Sequence, residues 1–85
     1  MSVFDLLALF CQSLVAKNRS PRTVEWYRHE VKRFFDWLEK AGLHHGNWLA
    51  PDIIERYLAD ARAAGNAPAT VSGHYRALVG WFGWL

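Results

Sequence analysis

The chain has 85 residues, 52% of them hydrophobic and 15% aromatic, including five Trp and five Phe. That much apolar bulk fills one small domain and argues against intrinsic disorder. The formal net charge is only +2, and the single cysteine, Cys11, lies in an apolar run, which excludes a disulfide framework and reads as a buried thiol.

A first helix is expected over residues 3–17. Val3, Leu7, Phe10 and Leu14 recur at i, i+4, i+7 and i+11, one helical face. Ser2 suits the N-cap, Asp5 the positive first turn and Lys17 the negative last turn, and Asn18 is an acceptable left-handed stop. No basic stretch precedes Val3, and the longest apolar run near the start is Leu6 to Cys11. Neither a signal peptide nor a membrane-spanning helix is expected from it.

A second helix is expected over 21–41. Ser20 is a preferred N-cap, and Pro21 fits the first helical position, where no N–H is needed. Val24, Tyr27, Val31, Phe34, Phe35 and Leu38 form a wide apolar stripe, and Gly42 supplies the stop. The opposite face carries Arg22, Trp26, His29 and Arg33, again at i, i+4, i+7 and i+11. Trp26 has two readings there: core against helix 1 or a neighbouring domain, or a ring laid against a ligand.

Residues 43–50 read as a connector, with Trp48 and Leu49 expected to anchor it to the core. Adjacent His44 and His45 make a poor chelate without a second cysteine or a histidine at i+4, so no metal site and no cofactor is expected. A third helix is expected over 51–64, with Pro51 at its first position, Asp52 and Glu55 in the first turn, and Ile53, Ile54, Tyr57, Leu58 and Ala61 buried. Gly65-Asn66 ends it.

The fourth helix is expected over 68–85. Val71, Tyr75, Leu78, Phe82 and Leu85 are its expected core side. The other side, Gly73, Arg76, Ala77, Gly80 and Gly83, is nearly bare. Each helical glycine costs about 1 kcal/mol against alanine, so this face points to close approach by another group or to a loose helix end.

The start of helix 4 repeats that of helix 2. Pro21-Arg22-Thr23-Val24 has its counterpart in Pro68-Ala69-Thr70-Val71, 47 residues later. The same offset sets Val31 on Leu78, Phe34 on Trp81, Phe35 on Phe82 and Leu38 on Leu85. Helix starts of this kind attract anions, because unpaired N–H groups and the positive dipole end point outward. Charge gathers at the first of them: residues 17–33 hold six Lys/Arg against Glu25 and Glu30. Periods of three to four dominate throughout, so the expected architecture is all-α, four helices in two hairpins packed across each other. The shared aromatic interior is expected to seat the two helix mouths side by side.

One family pattern accounts for the ordered set Phe10, Leu14, Ser20-x-x-Thr23-Val24-x-x-Tyr27, Val31, Phe34, Leu38, Gly42, Asp52-Ile53, Tyr57-Leu58, Thr70-Val71, Ala77-Leu78, Phe82 and Trp84-Leu85. It resembles the N-terminal core-binding, SAM-like domain of the tyrosine recombinases and phage integrases over nearly the whole chain. The resemblance implies one half of a clamp on double-stranded DNA, completed by a catalytic domain of the same protein and assembled as a recombinase tetramer on DNA. It further implies a cytoplasmic, nucleoid-associated setting and no membrane partner. The family's Arg/His set and tyrosine nucleophile are not placed on this chain, and Tyr27, Tyr57 and Tyr75 are read as core, so the chain by itself is not expected to be an enzyme.

Carried over by position, the resemblance points to Arg19, Ser20, Arg22 and Thr23 at the first mouth and to Thr70 with its neighbours at the second. Trp26, His29, Lys32 and Arg33 continue along helix 2, and Gly73 and Arg76 along helix 4. Ala67 stands where the family often has serine, Gly73 where it often has a basic residue, and Arg76 where it usually has a small one. In physical terms the N–H groups of Arg22 and Thr23, the hydroxyls of Ser20 and Thr23 and the arginine charges can hold phosphates. Such contacts fix position rather than sequence. The competing reading is a helical protein-interaction module that docks a partner on the bare face of helix 4 and on Trp81 and Trp84.

Overall fold

A computed structural model describes residues 3–43 and 52–85. Within them the chain forms α1 (Val3–Ala16), α2 (Pro21–Lys40), α3 (Ile53–Ala63) and α4 (Pro68–Trp84). The expectations placed on Ser2, His44, His45, Trp48, Leu49 and Pro51 lie outside the described residues. α3 begins at Ile53 with Asp52 as its cap residue, whose side chain makes no capping hydrogen bond.

Three helices stop in the same way. Asn18, Gly42 and Gly65 take φ values of 60°, 75° and 98°. Beyond each, an N–H reaches back to the carbonyl five residues earlier: Arg19 to Leu14, Leu43 to Leu38 and Asn66 to Ala61. This left-handed turn occupies carbonyls that the helix end would otherwise leave bare. The short corners at 17–20 and 64–67 fold α1 back on α2 and α3 back on α4. The two hairpins join through α2 against α4.

The join is aromatic. Trp81 is fully buried, and the rings of Phe10, Phe35 and Trp84 stand 5.3, 5.7 and 5.7 Å from it. Phe34, also fully buried, meets Tyr57 at 5.2 Å and Phe82 at 6.0 Å. Edge and stacked contacts of this kind add a modest increment to the large apolar area that each ring buries. Leu7, Phe10, Cys11 and Leu14 of α1 close the core from the other side.

Helix 4 faces inward differently from the expectation. Its buried residues are His74, Ala77, Leu78 and Trp81, while Tyr75 is 50% and Leu85 48% exposed. Tyr75 is therefore not core, and Ala77 does not lie on a bare outer side. Apolar residues occur all round α4, so periodicity could not choose between faces; contacts with α2 chose. The phenol ring of Tyr27 lies on Gly80, so close that an added Cβ would sit 2.9 Å from it. The close approach expected along the glycine face exists at Gly80, and a Cβ at Gly73 or Gly83 would meet open space. Trp81, one of the two rings proposed to dock a partner helix, is inside.

The two helix mouths are not side by side. Proceeding along α2 from Tyr27 to Glu30, the residue it meets on α4 moves backwards from Gly80 to His74, and Asn66, just before α4, lines one groove with Arg33 and Trp37 further along α2. Arg19, at the mouth of α2, shares a cleft with Gly80, Gly83 and Trp84 at the far end of α4. At 1.5 Å of rise per residue the two mouths are on the order of 20 Å apart. The helices cross with opposed senses, because the 17–20 and 64–67 corners lie at opposite ends of the join.

Candidate nucleic-acid interface

At the mouth of α2, Ser20 takes extended φ and ψ of −64° and 152°. Its Oγ accepts the Thr23 N–H at 3.2 Å and lies 3.0 Å from Thr23 Oγ1. The N–H of Val24 reaches the Ser20 carbonyl at 3.0 Å, and Pro21 has no N–H to offer. The cap therefore uses the Thr23 N–H that the sequence reading offered to phosphate, and the Arg22 N–H is the donor left for a ligand. Arg19, Ser20, Pro21 and Arg22 are exposed and Thr23 is half-buried. No acidic residue stands in the first turn, so nothing local offsets the dipole there.

The mouth of α4 has the same backbone and a different chemistry. Ala67 takes φ and ψ of −66° and 154° but has no side chain to cap with. The N–H groups of Ala69 and Thr70 are thus both without a side-chain cap, and Pro68, Ala69 and Thr70 are exposed. The first turn again has no acidic residue. One mouth pairs a single backbone donor with arginines; the other offers two donors and the Thr70 hydroxyl.

Between the mouths runs the outer face of α2. Arg22, His29 and Arg33 are exposed, and Trp26 is half-buried with its ring 4.9 Å from that of Tyr27. Trp26 meets its own helix rather than α1 in any ring contact among the described residues. His29 Nε2 stands 3.5 Å from Glu25, which also pairs with Arg28. Part of the positive cluster is therefore offset by Glu25. Lys32 is exposed but sits roughly a quarter-turn round the helix from the row, at about 100° per residue. On α4, Arg76 is exposed and Gly73 half-buried, with Gly73 on the same flank as Gly80, which borders α2.

Arg33 closes the row at the lip of a groove of about 330 Å³, lined also by Trp37, Lys40, Tyr57, Asn66 and His74. Trp37 donates its indole N–H to Asp60 at 2.8 Å, tying α2 to α3. Under the groove, His74 Nδ1 contacts Glu30 Oε2. Burial pushes the Tyr57 phenol up to about 12, with the Glu30 carboxylate adding to the rise and Arg33 opposing it. Its hydroxyl is buried with no hydrogen-bond partner among the described residues. The sequence reading did not single out this Glu30–His74–Tyr57 junction. A signal was present: the 47-residue offset sets His74 on Tyr27, a stripe position.

Among the described residues no group of three His, Cys, Asp or Glu is placed to hold a metal ion, and no helix is long and apolar enough to cross a membrane. Residues 7–85 match the family described as phage integrase, N-terminal SAM-like domain. The chain is also 34% identical over 67 residues to the tyrosine recombinase XerD of Corynebacterium glutamicum. That alignment covers 76% of this chain and 22% of the relative. No solved structure matches the chain.

Proposed function

Since the chain belongs to the phage integrase N-terminal SAM-like domain family, we propose that it is the DNA-binding half-clamp of a site-specific tyrosine recombinase. The observation that carries this reading is the exposed, capped start of α2, with Arg19 and Arg22 beside a free N–H and no acidic residue in the turn. Duplex DNA is the ligand such a surface suits, because the exposed row of Arg22, His29 and Arg33 runs from this mouth along α2 to a groove that Asn66, just before α4, also lines.

Mouths about 20 Å apart cannot share a phosphate. Each takes its own, one on either side of a major groove about 12 Å wide, with the α2 row lying across the opening. Arg22 and Ser20 hold the first phosphate, Thr70 and the Ala69 and Thr70 N–H groups the second. Arg33 and Arg76 reach further phosphates or base edges, with Trp26 and His29 on α2 between Arg22 and Arg33. Gly73 leaves room for the sugar–phosphate chain to come close. Lys32, off the row, adds long-range attraction. The contacts position more than they specify.

About four neutralised phosphates give a log K against log salt slope of roughly −3.6, and binding by one half-clamp on the order of 10⁻⁴ to 10⁻⁶ M at physiological salt. A catalytic domain on the same protein completes the clamp and raises affinity through effective concentration; cutting and rejoining belong to that domain, in a recombinase tetramer on nucleoid DNA in the cytoplasm. Fluorescence anisotropy with two unrelated duplexes over a salt series tests the reading. Arg22→Ala should weaken both duplexes alike and flatten the slope by about one. An unchanged slope, or wild-type binding that salt does not affect, would refute it. The interaction-module reading has less of its surface, since Trp81 is buried and Gly80 lies under Tyr27, leaving Gly83 and the half-buried Trp84.

A further inference from the structure

Beside the row, between α2 and α4, lies a polar contact that DNA binding does not use directly. His74, in the second turn of α4, is 2% exposed, and its partner Glu30 on α2 has a side chain only 15% exposed. Glu30 is next to His29 and three residues before Arg33, so the contact sits beside the middle of the row, roughly a fifth of a turn round α2 at about 100° per residue. The His74 ring also lies 5.7 Å from that of Tyr57 on α3. Arg33 from α2 and Tyr57 from α3 also face this junction, and Asp36, Lys40 and Asp60 line the same groove as His74.

Stability is a poor account of such a pair. Removing two polar groups from water costs about as much as their attraction returns, and apolar replacements of similar size are often as stable or more so. Direction is what the pair has and its surroundings lack. The other described contacts of the α2–α4 join are apolar, among them Tyr27 on Gly80 and the buried Val31, Phe35, Leu78 and Trp81, and apolar burial is non-directional. A hydrogen-bonded contact between two fixed atoms is directional.

We infer that Glu30 and His74 are positioning residues: their contact fixes how far α4 slides along α2 and how it is turned. It thereby holds Thr70 and Arg76 at a set place relative to Arg22, His29 and Arg33. The inference rests on the DNA-binding reading of that row, and it assigns a partner-holding task to two residues that touch no DNA.

The test uses the 85-residue chain and three variants: Glu30→Gln, Glu30→Leu/His74→Phe, and Glu30→Ala in case the double variant does not fold. Backbone residual dipolar couplings report the α2–α4 angle, thermal melts the stability, and anisotropy with duplex DNA the affinity. Glu30→Gln retains an acceptor for the imidazole N–H and should keep the couplings and bind within about twofold of wild type. The double variant should melt no lower than wild type, yet shift the couplings and bind roughly three- to tenfold more weakly, the scale of coupling between neighbouring residues. Charge cannot produce that loss. The double substitution leaves net charge unchanged if the pair is ionic and removes a negative charge if the imidazole is neutral. Wild-type couplings and affinity in the double variant, or in Glu30→Ala where the double variant does not fold, would overturn the inference. If wild-type protein binds no duplex at all, the DNA reading fails by itself. The couplings then decide the positioning claim alone: a shift sustains it, no shift ends it.

Discussion

Replacing Gly80 by alanine adds one methyl group at the point where α2 and α4 come closest. That methyl would stand 2.9 Å from Cε1 and the hydroxyl oxygen of Tyr27 and 3.2 Å from Cζ. Carbon atoms prefer about 3.5–4.0 Å, so the ring must retreat by roughly 0.6 Å or more. The retreat is resisted, because the same ring packs against Phe10 at 5.3 Å and Trp26 at 4.9 Å. Overpacking of this kind costs about 1–3 kcal/mol, while alanine for glycine in a helix returns close to 1 kcal/mol. Gly80→Ala should therefore be neutral to destabilising by about 2 kcal/mol. Gly73→Ala, where the new methyl meets open space, should be stabilising by up to about 1 kcal/mol. The contrast between the two isolates the close approach, since helix propensity is common to both. Urea unfolding at neutral pH with an unchanged m-value would measure it. At about 4–8 °C per kcal/mol for a domain of this size, the Gly80 variant should melt at least about 4 °C below the Gly73 variant. In a Tyr27→Ala background the difference should vanish. Two variants stabilised alike would refute the packing of α2 on α4 described above, and with it the separation of the two mouths.

The caps give a matched pair of outcomes. Ser20→Ala should cost about 1 kcal/mol by releasing the Thr23 N–H, and Ala67→Ser should gain a similar amount, because the two cap backbones differ by only 2° in each angle. Denaturation midpoints would check both, and an Ala67→Ser substitution without effect would show that the second mouth is not built like the first. Tyr57 links stability to alkaline pH. Its folded value of about 12 lies above the ordinary 10.0, so its contribution is whole below pH 10 and is lost as pH rises from 10 through 12. The loss is on the order of 3 kcal/mol at most. Tyr57→Phe should be neutral or stabilising at pH 7, since it removes a hydroxyl without a partner, and should lack that share of the alkaline loss. Parallel alkaline titrations followed by circular dichroism would show it.

Much of the chain was legible in its sequence because the deciding physics is local. Ser20 followed by Pro21, the left-handed stops at Asn18, Gly42 and Gly65, and the apolar stripes of α1 and α2 each declare themselves within a few residues. The 47-residue repeat showed that α2 and α4 begin alike, and the ordered pattern was enough to indicate the family. What remained undecided depended on residues far apart in sequence. α4 is apolar all round, so its inward side was settled only by Tyr27 lying on Gly80 and by His74 meeting Glu30. The expectation that Tyr75 and Leu85 are core failed for that reason. The same contacts decide that the α2 and α4 mouths lie at opposite ends of the join. Local pattern sets where helices start, stop and turn an apolar face; their sliding, rotation and sense across one another follow from which side chains fit together when the hairpins close.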